Sequence, residues 1–184
     1  MSDSEFGTRF ATGGEAELLE LIDAYGEKLL RYATSVLCNR QDAEDAVQLA
    51  FIAAYDNRKT FDGRNLPAWL YKITHNQCLN HMKKRRPLLL GDACVKTTVN
   101  PFDDTGVNEN FTSALARLSP TERALLYARV LDGYSYDDLV HIFGKSPAAL
   151  RKMYERTKKK LAAALGEKRY YEGSAGNECK HEQT

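Results

Sequence analysis

The segment "SPTERALLYARVLDGYSYDDLVHIFGKSPAALRKMYERTKKKL" (residues 119–161) contains three helix starts and two glycine stops. Each start is a serine followed by proline or acidic residues, the composition of an N-cap and a first helical turn. Gly133 and Gly144 stand where the first two helices should end. The pattern therefore predicts helices that begin after Ser119, Ser135 and Ser146, the last one reaching about Leu165.

Two helices joined by a tight glycine-containing turn are typical of the helix-turn-helix motif, whose second helix enters the major groove of DNA. Cations along this last helix suit phosphate neutralisation, and side chains near its start would lie nearest to base edges. The outward-facing cations are Arg151, Lys152, Arg156, Lys158, Lys159 and Lys160, and the residues near the start are Ser146, Ala148, Ala149 and Lys152. A basic face that is merely solvated is the alternative interpretation.

Working back along the chain, three more helices are predicted. Residues 15–38 carry apolar side chains at helical spacing, and a second helix follows with Asn39 or Asp42 as its cap. A third begins at the cap Asn65, has Pro67 in its first turn and ends in the cations of residues 83–86. Because no strand-like alternation appears, we expect an all-α fold of two small helical domains joined by a flexible linker.

Composition sets the expected domain boundaries. Residues 1–14 are polar and glycine-rich, and the letters EFGT are typical of a cloning site, so we expect this segment to be disordered or vector-derived. The first helical domain would span residues 15–87 and the helix-turn-helix domain residues 111–166. Between them, residues 88–110 are rich in turn formers and read as a linker, and residues 167–184 form a polar tail.

A net charge of +1 conceals a strong charge asymmetry. Residues 15–56 contain nine acidic and three basic residues, a net charge of −6, whereas residues 145–169 contain nine basic and two acidic residues, a net charge of +7. Such an asymmetry indicates two different partners, one of them a nucleic acid. No apolar run approaches the roughly 18 residues of a membrane span, and no signal peptide is visible, so we expect a cytoplasmic protein.

The helix at residues 66–86 carries an unusual mixture of side chains. At about 100° per residue, one face gathers the groups that stack on bases, bond to their edges and hold phosphates, and the opposite face looks like core. The first face contains Trp69, Asn76, Asn80 and Lys83, and the second contains Tyr71, Cys78 and Met82. An ordinary amphipathic helix with a basic end is the alternative for this segment.

No metal, cofactor or catalytic site is expected. His75, Cys78 and His81 follow one another at i, i+3 and i+6, which spreads them over about 120° of the helix, too widely for three side chains to reach one ion. The four cysteines form no CxxC pair and read as free thiols. Phosphate-binding glycine loops and hydrolase motifs are absent from the sequence, so neither enzyme activity nor a small-molecule substrate is expected.

Three stretches, residues 31–55, 66–87 and 118–161, resemble in order and spacing the extracytoplasmic-function (ECF) group of the sigma-70 family of bacterial RNA polymerase sigma factors. The resemblance implies a region 2 domain that recognises and melts the −10 element and a region 4 helix-turn-helix domain that reads the −35 element. A helix-turn-helix regulator that binds DNA without loading polymerase is the alternative function.

The resemblance also implies roles for individual residues. Those matching the polymerase-binding segment, which docks on the β′ clamp helices, are Asp42, Glu44, Asp45, Gln48 and Phe51. Those matching the −10 reader, including a loop at residues 61–65 that captures a flipped base, are Phe61, Arg64, Asn65, Asn76, Asn80, Lys83 and Lys84. Those matching the −35 recognition helix are Ser146, Ala149, Arg151, Lys152 and Arg156.

The partners implied by the resemblance are core RNA polymerase, through its β′ clamp helices and β flap, and promoter DNA. An anti-sigma factor is a further implied partner, and one anchored in the membrane would hold the protein there. The chain departs from the family at Leu49, where most members have glutamate after the glutamine.

Overall fold

The structure, a computed structural model, describes residues 3–85 and 109–165. Within these two ranges the chain forms helices and no strands, as the all-α prediction required. A short 3-10 helix, Arg58–Thr60, precedes α4. The α-helices are α1 (Asp3–Thr12), α2 (Glu15–Leu37), α3 (Arg40–Asp56), α4 (Leu66–Arg85), α5 (Glu109–Ala116), α6 (Pro120–Val130), α7 (Tyr136–Phe143) and α8 (Pro147–Ala164).

The predicted caps of the helix-turn-helix segment are confirmed. At the start of α6, the Ser119 hydroxyl accepts the N–H of Glu122, and the Glu122 carboxylate accepts the N–H of Ser119 at 2.8 Å. Ser135 forms the same reciprocal pair with Asp138 at the start of α7. Gly144 ends α7 with φ of 63°, a left-handed conformation that glycine adopts without strain. Ser146 caps α8 in turn.

The amino-terminal segment departs from the expectation. Disorder was predicted for residues 1–14, and that prediction is wrong for α1, which packs against α2 and α4. Phe6 and Phe10 lie one helical turn apart and are both buried, and the Phe10 ring meets Trp69 edge to face at 6.5 Å. Two buried aromatic rings hold a helix that is too short to be stable alone. The vector origin of the segment stays a prediction.

The predicted linker and tail lie largely outside the described residues. Of residues 88–110, only Glu109 and Asn110 are described, and they form the start of α5. Residues 167–184 and residue 166 also lie outside them.

The first module (α1–α4) and the second module (α5–α8) share one hydrophobic core. Helix α2 packs against α3, α4 and α6, and α4 packs against α7. At the boundary the Tyr32 ring lies 4.8 Å from Tyr71 and 6.1 Å from Tyr127, measured between ring centroids. Tyr32 and Tyr71 are fully buried, so the two modules bury each other's aromatic side chains.

A buried arginine of the second module binds the end of a helix of the first. The Arg123 side chain is only 6% exposed and donates to the carbonyls of Ser35 (3.0 Å) and Val36 (3.2 Å), in the last turn of α2. It also donates to the Leu118 carbonyl at 2.6 Å. The last carbonyls of a helix lack intrahelical donors and carry partial negative charge. A guanidinium at this position supplies hydrogen-bond donors to the carbonyls and a positive charge that offsets theirs.

Polar contacts also join α4 to the α6–α7 segment. The Tyr71 hydroxyl donates to the Asp132 carboxylate at 3.0 Å, and burial raises the pKa of that tyrosine. The Asn65 amide donates to the Asp138 carboxylate at 3.1 Å. These bonds fix the relative position of the two modules at a second point, away from Arg123.

The three residues considered as metal ligands have separate environments. His75 is 5% exposed, its Nδ1 lies 3.1 Å from the Tyr32 hydroxyl, and its ring meets Phe143 at 5.1 Å. Burial lowers the pKa of His75 to about 4 and raises that of Cys78 to about 12. His81 instead lies 3.2 Å from Asp42. His75 and Cys78 are therefore packing residues of the core.

We predict that Arg123→Ala lowers the free energy of unfolding by about 2–4 kcal/mol, because it leaves buried carbonyls without donors. Urea denaturation measures this change. The matched control is Arg117→Ala, which truncates an exposed arginine and should change stability by less than about 0.5 kcal/mol. Equal effects of the two substitutions would contradict the role of Arg123.

We predict a pH-dependent stability that comes from His75. Its folded pKa of about 4 lies below the ordinary value of 6.5, so the unfolded chain binds more protons between these values. The free energy of unfolding should therefore fall as the pH falls, by about 2 kcal/mol between pH 7 and pH 5. Urea denaturation across this range should give a flatter profile for His75→Phe, and an unchanged slope would refute the prediction.

Candidate nucleic-acid interface

Helix α8 presents its predicted DNA-contacting residues to solvent. Its inner face carries Leu150 and Thr157, both fully buried, and the Thr157 hydroxyl donates to the Met153 carbonyl at 2.9 Å. Burial of this face leaves the opposite face exposed along the helix. The exposed residues include all five predicted −35 contacts, Ser146, Ala149, Arg151, Lys152 and Arg156.

Intramolecular contacts hold some of the cations on α8. The Arg151 guanidinium lies 5.0 Å from the centroid of the Tyr136 ring, a cation–π contact that orients it without neutralising it. Lys160 binds the Glu122 carboxylate at 2.5 Å, and Lys158 binds Glu155 at 2.9 Å. Although burial alone would raise it, the bonds from Lys160 and Ser119 hold the pKa of Glu122 below its ordinary value. The amino-terminal half of α8 thus keeps the cations that are freest to bind phosphate.

Helix α4 exposes the amides and lysines that the sequence pattern grouped together. Asn76, Asn80, Lys83 and Lys84 are all exposed, whereas Trp69 is half-buried, with its ring between Phe10 and Phe61. Trp69 thus takes part in packing, and its predicted stacking on bases stays a prediction. Lys72, four residues before Asn76, is exposed and lies on the same face as the two asparagines. It was not among the predicted contacts, although its spacing from Asn76 would have placed it on this face.

Phe61, one of the expected −10 contacts, is buried in the structure, and its role in binding DNA stays a prediction. Its side chain is 7% exposed, and its ring centroid lies 5.0 Å from that of Trp69. In this position the ring packs against Trp69 and has little surface in contact with solvent. The ring is buried because α1, which was not expected to form, packs against this aromatic pair through Gly7 and Phe10.

The rest of the loop at residues 61–65 is exposed. Gly63 has φ of 78° and Asn65 φ of 41°, two left-handed residues that turn the chain sharply into α4. Arg64 points into solvent, and its N–H donates to the Asp62 carboxylate at 3.0 Å. Asn65 caps α4 by accepting the N–H of Ala68 at 3.1 Å, as predicted, while its amide binds Asp138. Arg64 is thus the loop's available cation, and Asn65 is held by the second module.

The acidic face of α3 contains most of the predicted polymerase contacts. Glu44, Asp45 and Gln48 are exposed, and Glu44 pairs with Arg40 at 2.9 Å. Asp42 is half-buried against His81. The chain thus has an exposed set of acids on the helix where the resemblance implied a docking surface.

Phe51, another predicted polymerase contact, is 7% exposed and belongs to the core, so its role in docking stays a prediction. Two residues that the sequence reading did not select replace it at the surface of α3: Leu49 is 46% exposed and Ile52 is 58% exposed. Asp45, Leu49 and Ile52 follow the spacing of one helix face. Helical periodicity alone predicts this arrangement: Phe51 lies on the same face as the buried Val47 and Ala54, and Leu49 and Ile52 therefore lie on another face.

None of the helices described in residues 3–85 and 109–165 is long and apolar enough to cross a membrane. The same residues contain no group of three or more His, Cys, Asp or Glu side chains that could hold a metal ion.

Comparison with protein families gives two matches in the expected order. The Sigma-70 region 2 family matches residues 21–87, and the Sigma-70 region 4 family matches residues 108–161. The first match covers most of α2 and all of α3 and α4, and the second covers α5 to α7 and most of α8.

Curated proteins with similar sequences are described as ECF RNA polymerase sigma factors. The ECF RNA polymerase sigma factor EcfG of Rhodopseudomonas palustris is 30% identical over 142 residues, which cover 74% of this chain and 78% of EcfG. The ECF RNA polymerase sigma factor SigM of Mycobacterium tuberculosis is 27% identical over 90% of this chain and 85% of its own. The ECF RNA polymerase sigma factor BldN of Streptomyces coelicolor is 27% identical, and the chain spans 63% of its length.

Two solved structures share the fold. CnrH, solved in complex with the cytosolic domain of CnrY, superposes with a TM-score of 0.68 at 23% identity, covering 90% of this chain and 98% of CnrH. The sigma factor RpoE of Bartonella quintana, solved with the anti-sigma factor NepR, gives a TM-score of 0.66 at 24% identity, covering 84% of this chain and all of RpoE. With both regions matched in order and a relative at 30% identity, the chain belongs to the ECF group of the sigma-70 family of RNA polymerase sigma factors.

Proposed function

We propose that this protein directs core RNA polymerase to specific promoters, with α1–α4 as region 2 and α5–α8 as region 4. The observation that carries the proposal is the presence of two exposed cationic helices, α4 and α8, beside an exposed acidic and apolar face on α3. A simple DNA-binding regulator needs only the α7–α8 motif. A chain that also melts DNA and docks on an enzyme needs the other two surfaces.

Region 4 reads the −35 element with the start of α8 in the major groove. Arg151, Lys152 and Arg156 neutralise phosphates, which contributes most of the affinity and makes it dependent on salt. Ser146 and Ala149, at the first turn, lie nearest to the base edges, and the alanine methyl suits contact with a thymine methyl. In this arrangement the base preference comes from the first turn and the affinity comes from the following turns.

Region 2 melts and reads the −10 element. Extracting a base from the stack costs a few kcal/mol, which contacts with the flipped base and the single strand must offset. Arg64 in the loop at residues 61–65 and the amides of Asn76 and Asn80 supply hydrogen bonds, and Lys83 and Lys84 bind the strand's phosphates. Phe61 supports the loop by packing against Trp69 and α1, on the side away from solvent, and makes no contact with the base.

The α3 face docks on core polymerase, on the β′ clamp helices. Asp45 and Gln48 supply charge and hydrogen bonds, and the exposed side chains of Leu49 and Ile52 supply apolar area that water covers in the free protein. Leu49 stands where most family members have glutamate, so this chain would rely more on apolar contact for the same docking. Region 4 completes the assembly by binding the β flap.

The closed arrangement of the two modules must open before both promoter elements are read. Elements centred at −10 and −35 are about 25 base pairs apart, or about 85 Å along B-form DNA. A compact body of about 140 residues has a radius of gyration of about 14 Å and cannot span that distance. The bonds of Arg123, Tyr71 and Asn65 across the boundary therefore oppose function until polymerase separates the modules.

An anti-sigma factor is the partner that would preserve the closed state. NepR and the cytosolic domain of CnrY are the proteins bound to the two structural relatives. A ligand that binds the closed form more tightly than the open form shifts the equilibrium towards the closed form, by an amount set by the difference between the two affinities. Fewer molecules are then open and able to read a promoter. We place the protein in the cytoplasm, and an anti-sigma factor anchored in the membrane would hold it there until released.

Reconstitution with core polymerase and a promoter library tests the function. The wild-type protein should bind core enzyme and support initiation, and Asp45→Lys should weaken core binding by at least about tenfold through like-charge repulsion. Duplex −35 DNA binding of Asp45→Lys should not change. Asp23→Lys, a reversal at an exposed acid of α2, is the matched control. A wild-type protein that binds duplex DNA but neither core enzyme nor promoters in its presence would favour the regulator.

A second substitution tests the opening. Asp132→Ala removes the acceptor of the Tyr71 hydroxyl, a bond to a charged group worth about 1.5–3 kcal/mol, and should shift the population towards the open form. Apparent affinity for core polymerase should then rise about tenfold, measured by fluorescence anisotropy. The control is Asp137→Ala on the exposed face of α7. Equal core affinities of wild type and Asp132→Ala would contradict the opening step.

A further inference from the structure

Helix α1 packs against the back of the loop at residues 61–65. A Cβ atom added to Gly7 would lie 2.6 Å from Cε1 of Phe61 and 3.6 Å from Cβ of Leu66, so the α1 backbone touches the ring directly. One residue further on, Oγ1 of Thr8 lies 3.8 Å from the position of a Cβ on Gly63. Gly7 of α1 thus packs against the first residue of the loop, and Thr8 lies beside the turn at Gly63.

An aromatic floor, formed by Phe10, Phe61 and Trp69, lies between α1 and the loop. The Trp69 ring meets Phe61 at 5.0 Å and Phe10 at 6.5 Å. The backbone N–H of Trp69 donates to the carbonyl of Asn65 at 3.1 Å, in the first turn of α4, so the residue that carries the ring lies one helical turn after the last residue of the loop. Phe61 is itself the first residue of the loop, so a displacement of its ring acts on the loop directly and also changes its contact with Trp69.

Arg58 ties the other end of α1 to the chain just before the loop. Its Nε donates to the carbonyl of Gly13 at 3.0 Å, and its Nη1 donates to the carbonyl of Tyr55 at 2.6 Å. The guanidinium also lies 3.9 Å from the centroid of the Tyr55 ring. The 3-10 turn that leads into the loop is thereby held against the α1–α2 junction.

We propose that α1 is a positioning element that sets the shape of the loop at residues 61–65, and with it the base preference at the −10 element. This inference rests on the proposed function and assigns a role to a segment outside residues 21–87, the part matched by the region 2 family. The loop contains two left-handed residues and lies between helices, where the Arg64 N–H bond to Asp62 and the Asn65 cap hold its second half and the ring of Phe61 holds its start against α1. A reading site of this kind needs a rigid support to hold its contacts in place.

Gly7 is the position where the proposal can be tested most sharply. Alanine favours a helix more than glycine does, so Gly7→Ala strengthens α1 while its methyl group displaces the Phe61 ring. Gly26→Ala on α2 is the matched control: it makes the same change in a helix, where the added Cβ meets only the Ile22 side chain at 3.8 Å. The two variants share the gain in helix propensity and differ in the contact with the loop.

The experiment uses holoenzyme reconstituted from the full chain and core polymerase, with a promoter library randomised over the −10 element. Gly7→Ala should lower the preference for the favoured base at one −10 position by about five- to tenfold, with −35 preference and core affinity unchanged. Trp69 is the single tryptophan of the chain, so its fluorescence reports whether the aromatic floor has moved. Gly26→Ala should match the wild type in all four measurements.

Two further variants separate positioning from general damage. Gly7→Ala combined with Phe61→Leu makes room for the methyl group and should restore the base preference. Arg58→Met releases the α1–α2 junction and should change the preference at the same position, which keeps the proposal testable if Gly7→Ala does not fold.

Unchanged base preference in Gly7→Ala, with or without a shift in Trp69 fluorescence, overturns the proposal. A parallel loss of −35 preference and core affinity also overturns it. Failure of the wild type to initiate overturns the proposed function itself.

Discussion

The packing of the second module on the carboxyl end of α2 is the interaction on which the rest of the structure depends. Arg123 satisfies carbonyls that α2 cannot satisfy alone, and the tyrosine cluster beside it closes one core over both modules. A guanidinium suits this position because it offers several donors to a region of partial negative charge. The cost of burying the cation makes the contact specific, since other arrangements of the modules would leave the charge without acceptors.

This shared core also decides which functional groups are free. It uses Asn65 and Tyr71 of region 2 in bonds to region 4, while it leaves the outer faces of α3, α4 and α8 in water. Those faces are exposed because each helix has one apolar stripe and the core covers that stripe alone. The closed protein therefore exposes the helix faces that are proposed to bind polymerase and DNA, while the distance between them stays too short for a promoter.

The loop between α3 and α4 shows how support and contact are divided among neighbouring residues. Phe61 and Trp69 are aromatic and lie where a base would have to be read, and their residue types alone suggested stacking on DNA. Both rings pack beside α1, whereas Arg64 and the amides of Asn76 and Asn80 on α4 are exposed, and the proposed DNA contacts are assigned to these exposed groups. In the same way Phe51 packs inside while Leu49 and Ile52 form the surface of α3.

The sequence alone determined the elements that depend on local chemistry: the serine caps, the glycine stops, the helix-turn-helix order, and the faces of α4 and α8, because caps and helical periodicity act over a few residues. It also carried the family resemblance. The tertiary structure alone decided that α1 forms, that Phe51 and Phe61 are buried, and that the two modules share a core. These outcomes depend on partners that are distant in the sequence, such as Arg123 for Val36 and Gly7 for Phe61, and no local pattern records which distant side chain will occupy a given surface.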